Sequence, residues 1–278
     1  MPPIEYFRFS KLISDFKCNL GEGLFVNHNC AAWVDINNRL LFLSKKNTVK
    51  IYELKCQPSV VYNYTRDSVF IGADIGIVEF DALTNKEKLL VSIKNQHDIK
   101  TYRSNDGGYC EELQLLSFMH KKEPSKHKGF LYSILDGKFI LIDDTLHIPN
   151  TFINIDPFSI LISDSLKNQI FLYKFNKNGT LYDKSLWSKL EKDEVPDGGC
   201  MINDLIFISL WDNSAIGVFN KKGKLLQKLK LPIMRPTNCK FNKHSSSMMI
   251  TSASEGLDSK QLKKYPMSGC TLKYNVKI

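Results

Sequence analysis

The sequence has no C-x-x-C pair, and its seven cysteines, Cys18, Cys30, Cys56, Cys110, Cys200, Cys239 and Cys270, are odd in number and dispersed. A disulfide framework or a structural zinc site needs grouped ligands, so neither is expected, and free thiols suit a reducing cytosol. No apolar run approaches the ~20 residues of a membrane span. The opening residues, Met1 to Tyr6, lack the apolar core of a signal peptide. A cytoplasmic protein without a membrane partner is expected, in which the sequons at Asn63 and Asn178 are chance matches.

Catalytic signatures of two common kinds are missing as well. There is no Gly-x-Ser-x-Gly elbow, and the six histidines form no His-x-x-x-His pair. Long stretches of three- and four-residue apolar periodicity, the mark of amphipathic helices, are also lacking. The net charge of +9 comes mainly from lysines in short scattered runs such as Lys45-Lys46 and Lys221-Lys222. A nucleic-acid binder concentrates its charge on one stripe and interleaves aromatics; lysines in separate turns are solvated loops, so no nucleic-acid partner is expected.

What the sequence does contain is a repeat. Short apolar runs recur at Ala31–Val34, Ser68–Ile71, Leu115–Phe118, Ile160–Ser163, Leu205–Ile208 and Met248–Thr251. Each is followed by a second strand candidate: Val49–Tyr52, Ile75–Val78, Phe130–Ser133, Ile170–Tyr173, Ala215–Val218 and Cys270–Lys273. Turns such as Asn178-Gly179 and Lys222-Gly223 then lead to further strands. The period is roughly 45 residues, in the range of a four-stranded propeller blade. The expected fold is all-β: a single domain over residues 1–278, a six-bladed β-propeller of four-stranded antiparallel blades.

Polar residues keep a fixed phase on this repeat. Glu22, Asn105, Asn150 and Asp197 each precede a repeat centre by about 10 or 11 residues. In a propeller that phase falls in the loops leading into the innermost strands, which converge at one end of the central channel. Two carboxylates and an amide brought together there repel one another and are poorly solvated. A hard divalent cation offsets both costs, and all-oxygen ligands favour Ca²⁺ or Mg²⁺. Taken singly, the same residues are ordinary turn formers that bind backbone amides.

At these residues the chain resembles the senescence-marker-protein/regucalcin/gluconolactonase family. The matching segments are Leu20–Gly23, Trp33–Ile36, Arg103–Gly107, Ile162–Ser165, Val195–Gly198, Leu231-Pro232 with Thr237 and Phe241, and Ile250–Ala253. The resemblance implies a six-bladed propeller with one divalent metal, held by Glu22, Asn150 and Asp197: Ca²⁺ first, with Zn²⁺, Mg²⁺ or Mn²⁺ as alternatives. It implies that Arg103 and Asn105 bind substrate hydroxyls, with Glu123 assisting. It further implies a metal-dependent hydrolase of a sugar lactone or related ester, with Asp197 as general base. A calcium-binding regulatory protein without turnover and a luciferin-regenerating type of activity are the alternatives. Departures from the family pattern fall at Leu24, Val26, Cys110, Phe118-Met119 and Thr151, which stands where glycine is usual.

Overall fold

In the computed structural model, which describes residues 3–46 and 48–277, the chain forms six separate four-stranded antiparallel sheets. Met1 and Pro2 of the opening segment lie outside the described residues. Blade 1 runs from Gly21 to Glu53, blade 2 from Pro58 to Ser92, blade 3 from Tyr102 to Asp143, blade 4 from Pro149 to Lys189 and blade 5 from Val195 to Lys230. Blade 6 takes Arg235–Asn242, Ser247–Ala253 and Thr271–Lys277 from the end of the chain, and Tyr6–Ser14 from its start. The first strand of each of blades 1–6 contacts the first strands of its two neighbours, so these six strands line a central channel and the sheets stand around it as a ring. Pairing of Tyr6–Ser14 with Thr271–Lys277 closes that ring with a strand from each end of the chain.

The repeat centres all fall on second strands, such as Ser159–Asp164 and Leu205–Trp211. These strands are covered on both faces by adjacent blades, so they read as continuous apolar runs instead of alternating ones. One assignment needs correction. Val49–Tyr52 was expected as the strand following the first repeat centre, but that place belongs to Leu40–Lys45, and Thr48–Glu53 is the outermost strand of blade 1. Leu40–Lys45 carries the longer apolar run and is the more buried of the two, whereas the side chains of Thr48–Glu53 are half-buried or exposed, as befits an outermost strand.

A second correction concerns the polar phase. Glu22, Asn105, Asn150 and Asp197 lie within the innermost strands, not in the loops ahead of them. Each stands at a bulge, where pairing with the second strand slips: between Glu22 and Phe25, Ser104 and Gly107, Asn150 and Ile153, and Pro196 and Gly199. Blades 2 and 6 slip at the same phase, around Ser59 and Thr237. A bulge adds an unpaired residue and turns its side chain away from the pleat, here toward the channel.

Gly23 follows directly at φ +60°, and a Cβ there would stand 2.4 Å from the Ser59 carbonyl oxygen of the next blade. Gly23→Ala is therefore expected to cost about 1–3 kcal/mol, read as a lowered urea midpoint with unchanged slope.

Candidate metal and substrate site

Buried aspartates set the entry of two innermost strands. Asp35 accepts from the Asn19 amide at 2.7 Å and the Leu20 amide at 3.2 Å, two residues ahead of Glu22. Asp164 does the same for His147 at 2.9 Å and Ile148 at 3.2 Å, two residues ahead of Asn150. Each carboxylate ends the second strand of its blade and ties the incoming chain to it, so the bulge residue arrives at one height on the channel wall.

A cavity of about 240 Å³ at that end of the channel is lined by Glu22, Arg103, Asn105, Asn150 and Asp197 together. Asn150 Nδ2 donates to Asp197 Oδ1 at 2.5 Å, while Asn150 Oδ1 accepts from the Thr151 amide at 2.9 Å. Arg103 donates from one guanidinium nitrogen to Asn105 Oδ1 and to the Ser104 carbonyl, both at 2.9 Å. Asn105 Nδ2 in turn donates to the Pro149 carbonyl at 3.0 Å, joining blades 3 and 4.

Burial pushes the Glu22 carboxyl well above its usual range, and the charges of Asp197 and Asp106 add to the effect. Burial likewise pushes Asp197 up to about 8, with the Asp106 charge reinforcing it and the Asn150 hydrogen bond opposing it. Both groups are more than nine-tenths buried. Two such carboxylates repel when both are ionised, and the nearby Arg103 charge does not offset the burial of Glu22. Two carboxylates and one amide oxygen fit a hard divalent ion; turning the Asn150 amide over presents Oδ1 where Nδ2 now faces Asp197, at the cost of the bond from the Thr151 amide. Among the described residues no group of three or more His, Cys, Asp or Glu side chains is placed to hold a metal, so a site here draws on oxygens beyond the two carboxylates, such as the Asn150 amide.

Glu123 lies apart. It is half-exposed in the segment after the second strand of blade 3, paired with Lys126, and is not part of the cavity lining. Asp106, next to Asn105, turns the other way and lines a second cavity further along the channel. Burial pushes its carboxyl up to about 6. Glu255, which sequence reasoning missed, does line the first cavity, and its charge favours the ionised Arg103. It stands two residues beyond the Ile250–Ala253 motif, after the second strand of blade 6, at a different phase from Glu22, Asn105, Asn150 and Asp197, so their spacing gave no signal for it.

The departures sort by position. Met119 lines the first cavity, whereas Leu24 and Val26 line the second, and Cys110 lies in neither. Thr151 has φ +87°, an outlying conformation for a β-branched residue. Its hydroxyl holds the bulge by donating to the Asp197 carbonyl at 2.9 Å while accepting from Ser163 Oγ at 2.7 Å. Those bonds offset strain on the order of 1–3 kcal/mol that glycine would avoid.

The SMP-30/Gluconolactonase/LRE-like region matches residues 20–254. Human regucalcin is 27% identical over 259 residues, covering 85% of this chain and 86% of its own. The solved structure of a calcium-binding protein, regucalcin, from Agrobacterium tumefaciens superposes with a TM-score of 0.89 at 20% identity, covering 96% of this chain and 94% of its own. A gluconolactonase from Xanthomonas campestris superposes with a TM-score of 0.74 at 16% identity, over 99% and 96% of the two chains. At these identities the two solved structures speak for the fold alone.

Proposed function

The chain belongs to the SMP-30/gluconolactonase/LRE-like family, and from that premise we propose that it is a divalent-metal-dependent hydrolase of sugar lactones. The observation that carries this reading is the convergence of Glu22, Asn150 and Asp197 with Arg103 and Asn105 on one cavity. A divalent ion held by Glu22, Asn150 and Asp197, with Ca²⁺ favoured, supplies Lewis-acid polarisation of the lactone carbonyl when bound. Asp197 takes the proton of the attacking water. Arg103, fixed by its bond to Asn105, aligns substrate hydroxyls, and Asn105 holds the arginine while bridging to blade 4. Trp211, Ile148 and Ile36 give the pocket apolar walls that limit competing water.

The test is hydrolysis of an aldonolactone by protein stripped with chelator and then supplied with Ca²⁺, Zn²⁺, Mg²⁺ or Mn²⁺ in turn. Turnover restored by one of them supports the reading. Metal binding without opening of any lactone or other ester favours a calcium-binding regulatory role instead. That second reading draws on Met119, which lines the cavity where the family usually carries a small residue.

Arg103→Met is expected to raise KM for an aldonolactone about tenfold to a hundredfold while lowering kcat less, as befits loss of a charged hydrogen bond to bound substrate. Steady-state kinetics on the metal-loaded variant checks it.

A further inference from the structure

The second channel cavity, of about 370 Å³, lies toward the opposite mouth of the ring, and Cys200 and Lys240 both line it. Cys200 is half-buried on the innermost strand of blade 5, paired opposite Phe207. Cys239, fully buried on the innermost strand of blade 6, places its sulfur 3.8 Å from the Phe207 carbonyl oxygen. Cys200 packs against the core cluster that contains Cys239, and both cysteines meet at Phe207, which pairs with Cys200 across the sheet and offers its carbonyl to the Cys239 sulfur at the seam between the blades. Lys240 Nζ donates to the Gly199 carbonyl at 2.7 Å, which holds an ammonium one residue from Cys200.

The structure assigns a peroxide-reactive site here: we propose that Cys200 is an oxidant-sensitive nucleophilic thiol and Cys239 its resolving partner, together forming a disulfide between blades 5 and 6. Reactive thiols occupy partly open, electropositive surroundings, and Cys200 has both. Contact with Cys239 lowers its pKa below the ordinary thiol value, and the Lys240 charge adds to this. By contrast, burial raises Cys18, Cys56 and Cys110. The other ionisable groups facing this cavity are Asp106, Tyr62 and Tyr109. Burial raises the pKa of each tyrosine, so both stay neutral near pH 7, and Asp106 is the single anion set against the Lys240 ammonium.

The chemistry balances with hydrogen peroxide as oxidant. The Cys200 thiolate attacks one peroxide oxygen and the O–O bond breaks, leaving a sulfenic acid and hydroxide, which is protonated to water. The Cys239 sulfur then attacks the sulfenic sulfur, the S–O bond breaks, and a second water leaves with the thiol proton. The thiol pair loses two electrons and the peroxide gains them.

Metal-loaded protein is treated with peroxide and mapped by non-reducing peptide mass spectrometry. A peptide linked through Cys200 and Cys239 is expected, with Cys30, the other half-buried thiol, oxidising more slowly. In Cys239→Ser the reaction should stop at the Cys200 sulfenic acid, captured by a 1,3-diketone. Lys240→Met should slow alkylation of Cys200 at pH 7 about tenfold and move the midpoint of its pH–rate profile upward. An unlinked pair, Cys30 oxidising first, or an unmoved profile in Lys240→Met overturns the proposal. None of these readouts uses lactone turnover, so they stand or fall apart from the hydrolase reading.

Discussion

Replacing Asp197 by alanine is expected to lower kcat for lactone opening by about 10³-fold or more while the six blades stay folded. The side chain is nearly fully buried in the channel and has no role in the hydrophobic clusters between blades. Its hydrogen-bond partners are the neighbouring Gly198 amide, at 3.0 Å, and Asn150. Truncation removes the proposed base and one of the two proposed carboxylate ligands at once, so both proton transfer and ion retention suffer. Asp197→Asn separates the two effects, since it keeps the shape and an oxygen donor but removes the base and one negative charge. Activity measured over a metal titration decides the matter. If excess metal restores Asp197→Asn to within a few fold of the parent, the carboxylate is a ligand but not the base. Near-parental turnover in Asp197→Ala at any metal concentration would remove the proposed active site.

Much of this architecture was legible because burial on two faces turns each second strand into an unbroken apolar run, as in Ser159–Asp164. The strand Tyr6–Ser14 was not placed in advance. Its partner, Thr271–Lys277, lies at the other end of the chain, and closure belongs to the whole ring instead of any local pattern. The phase of Glu22, Asn105, Asn150 and Asp197 was readable from spacing because every blade carries its bulge at one point. Phase could not show that adjacent residues part company there: Asn105 lines the first cavity and Asp106 the second. Nor could it place Glu123, because the segment between the second and third strands of blade 3 has no counterpart of equal length in blade 2 to calibrate it.

Metal-free protein should lose stability as pH rises from about 4 to about 8, and added divalent metal should restore it. Paired carboxylates usually titrate lower in the folded state and lend stability above their unfolded pKa. Here the sign is reversed, because burial raises Glu22 and Asp197, and for Glu22 it outweighs the opposing charge of Arg103. Below the ordinary carboxylate range both states bind the proton and folding is indifferent to it. Between that range and about 8 the folded chain keeps a proton on Asp197 that the unfolded chain has already released, so each step up in pH favours unfolding. Asp106, pushed up to about 6, works in the same direction. The combined loss is on the order of several kcal/mol, at about 2–4 °C of Tm per kcal/mol for a chain of this size. A bound cation reverses the effect by favouring the ionised carboxylates, contributing about 2.7 kcal/mol at a hundredfold excess over Kd. Thermal unfolding with chelator and with Ca²⁺, from pH 5 to pH 9, should give curves that diverge as pH rises. In Asp197→Asn the chelator curve should flatten and the gain from Ca²⁺ shrink, since one titrating charge and one ligand carboxylate are gone. A chelator curve that is already flat in the parent protein would mean these acids are not the strained, ion-seeking pair that the hydrolase reading requires.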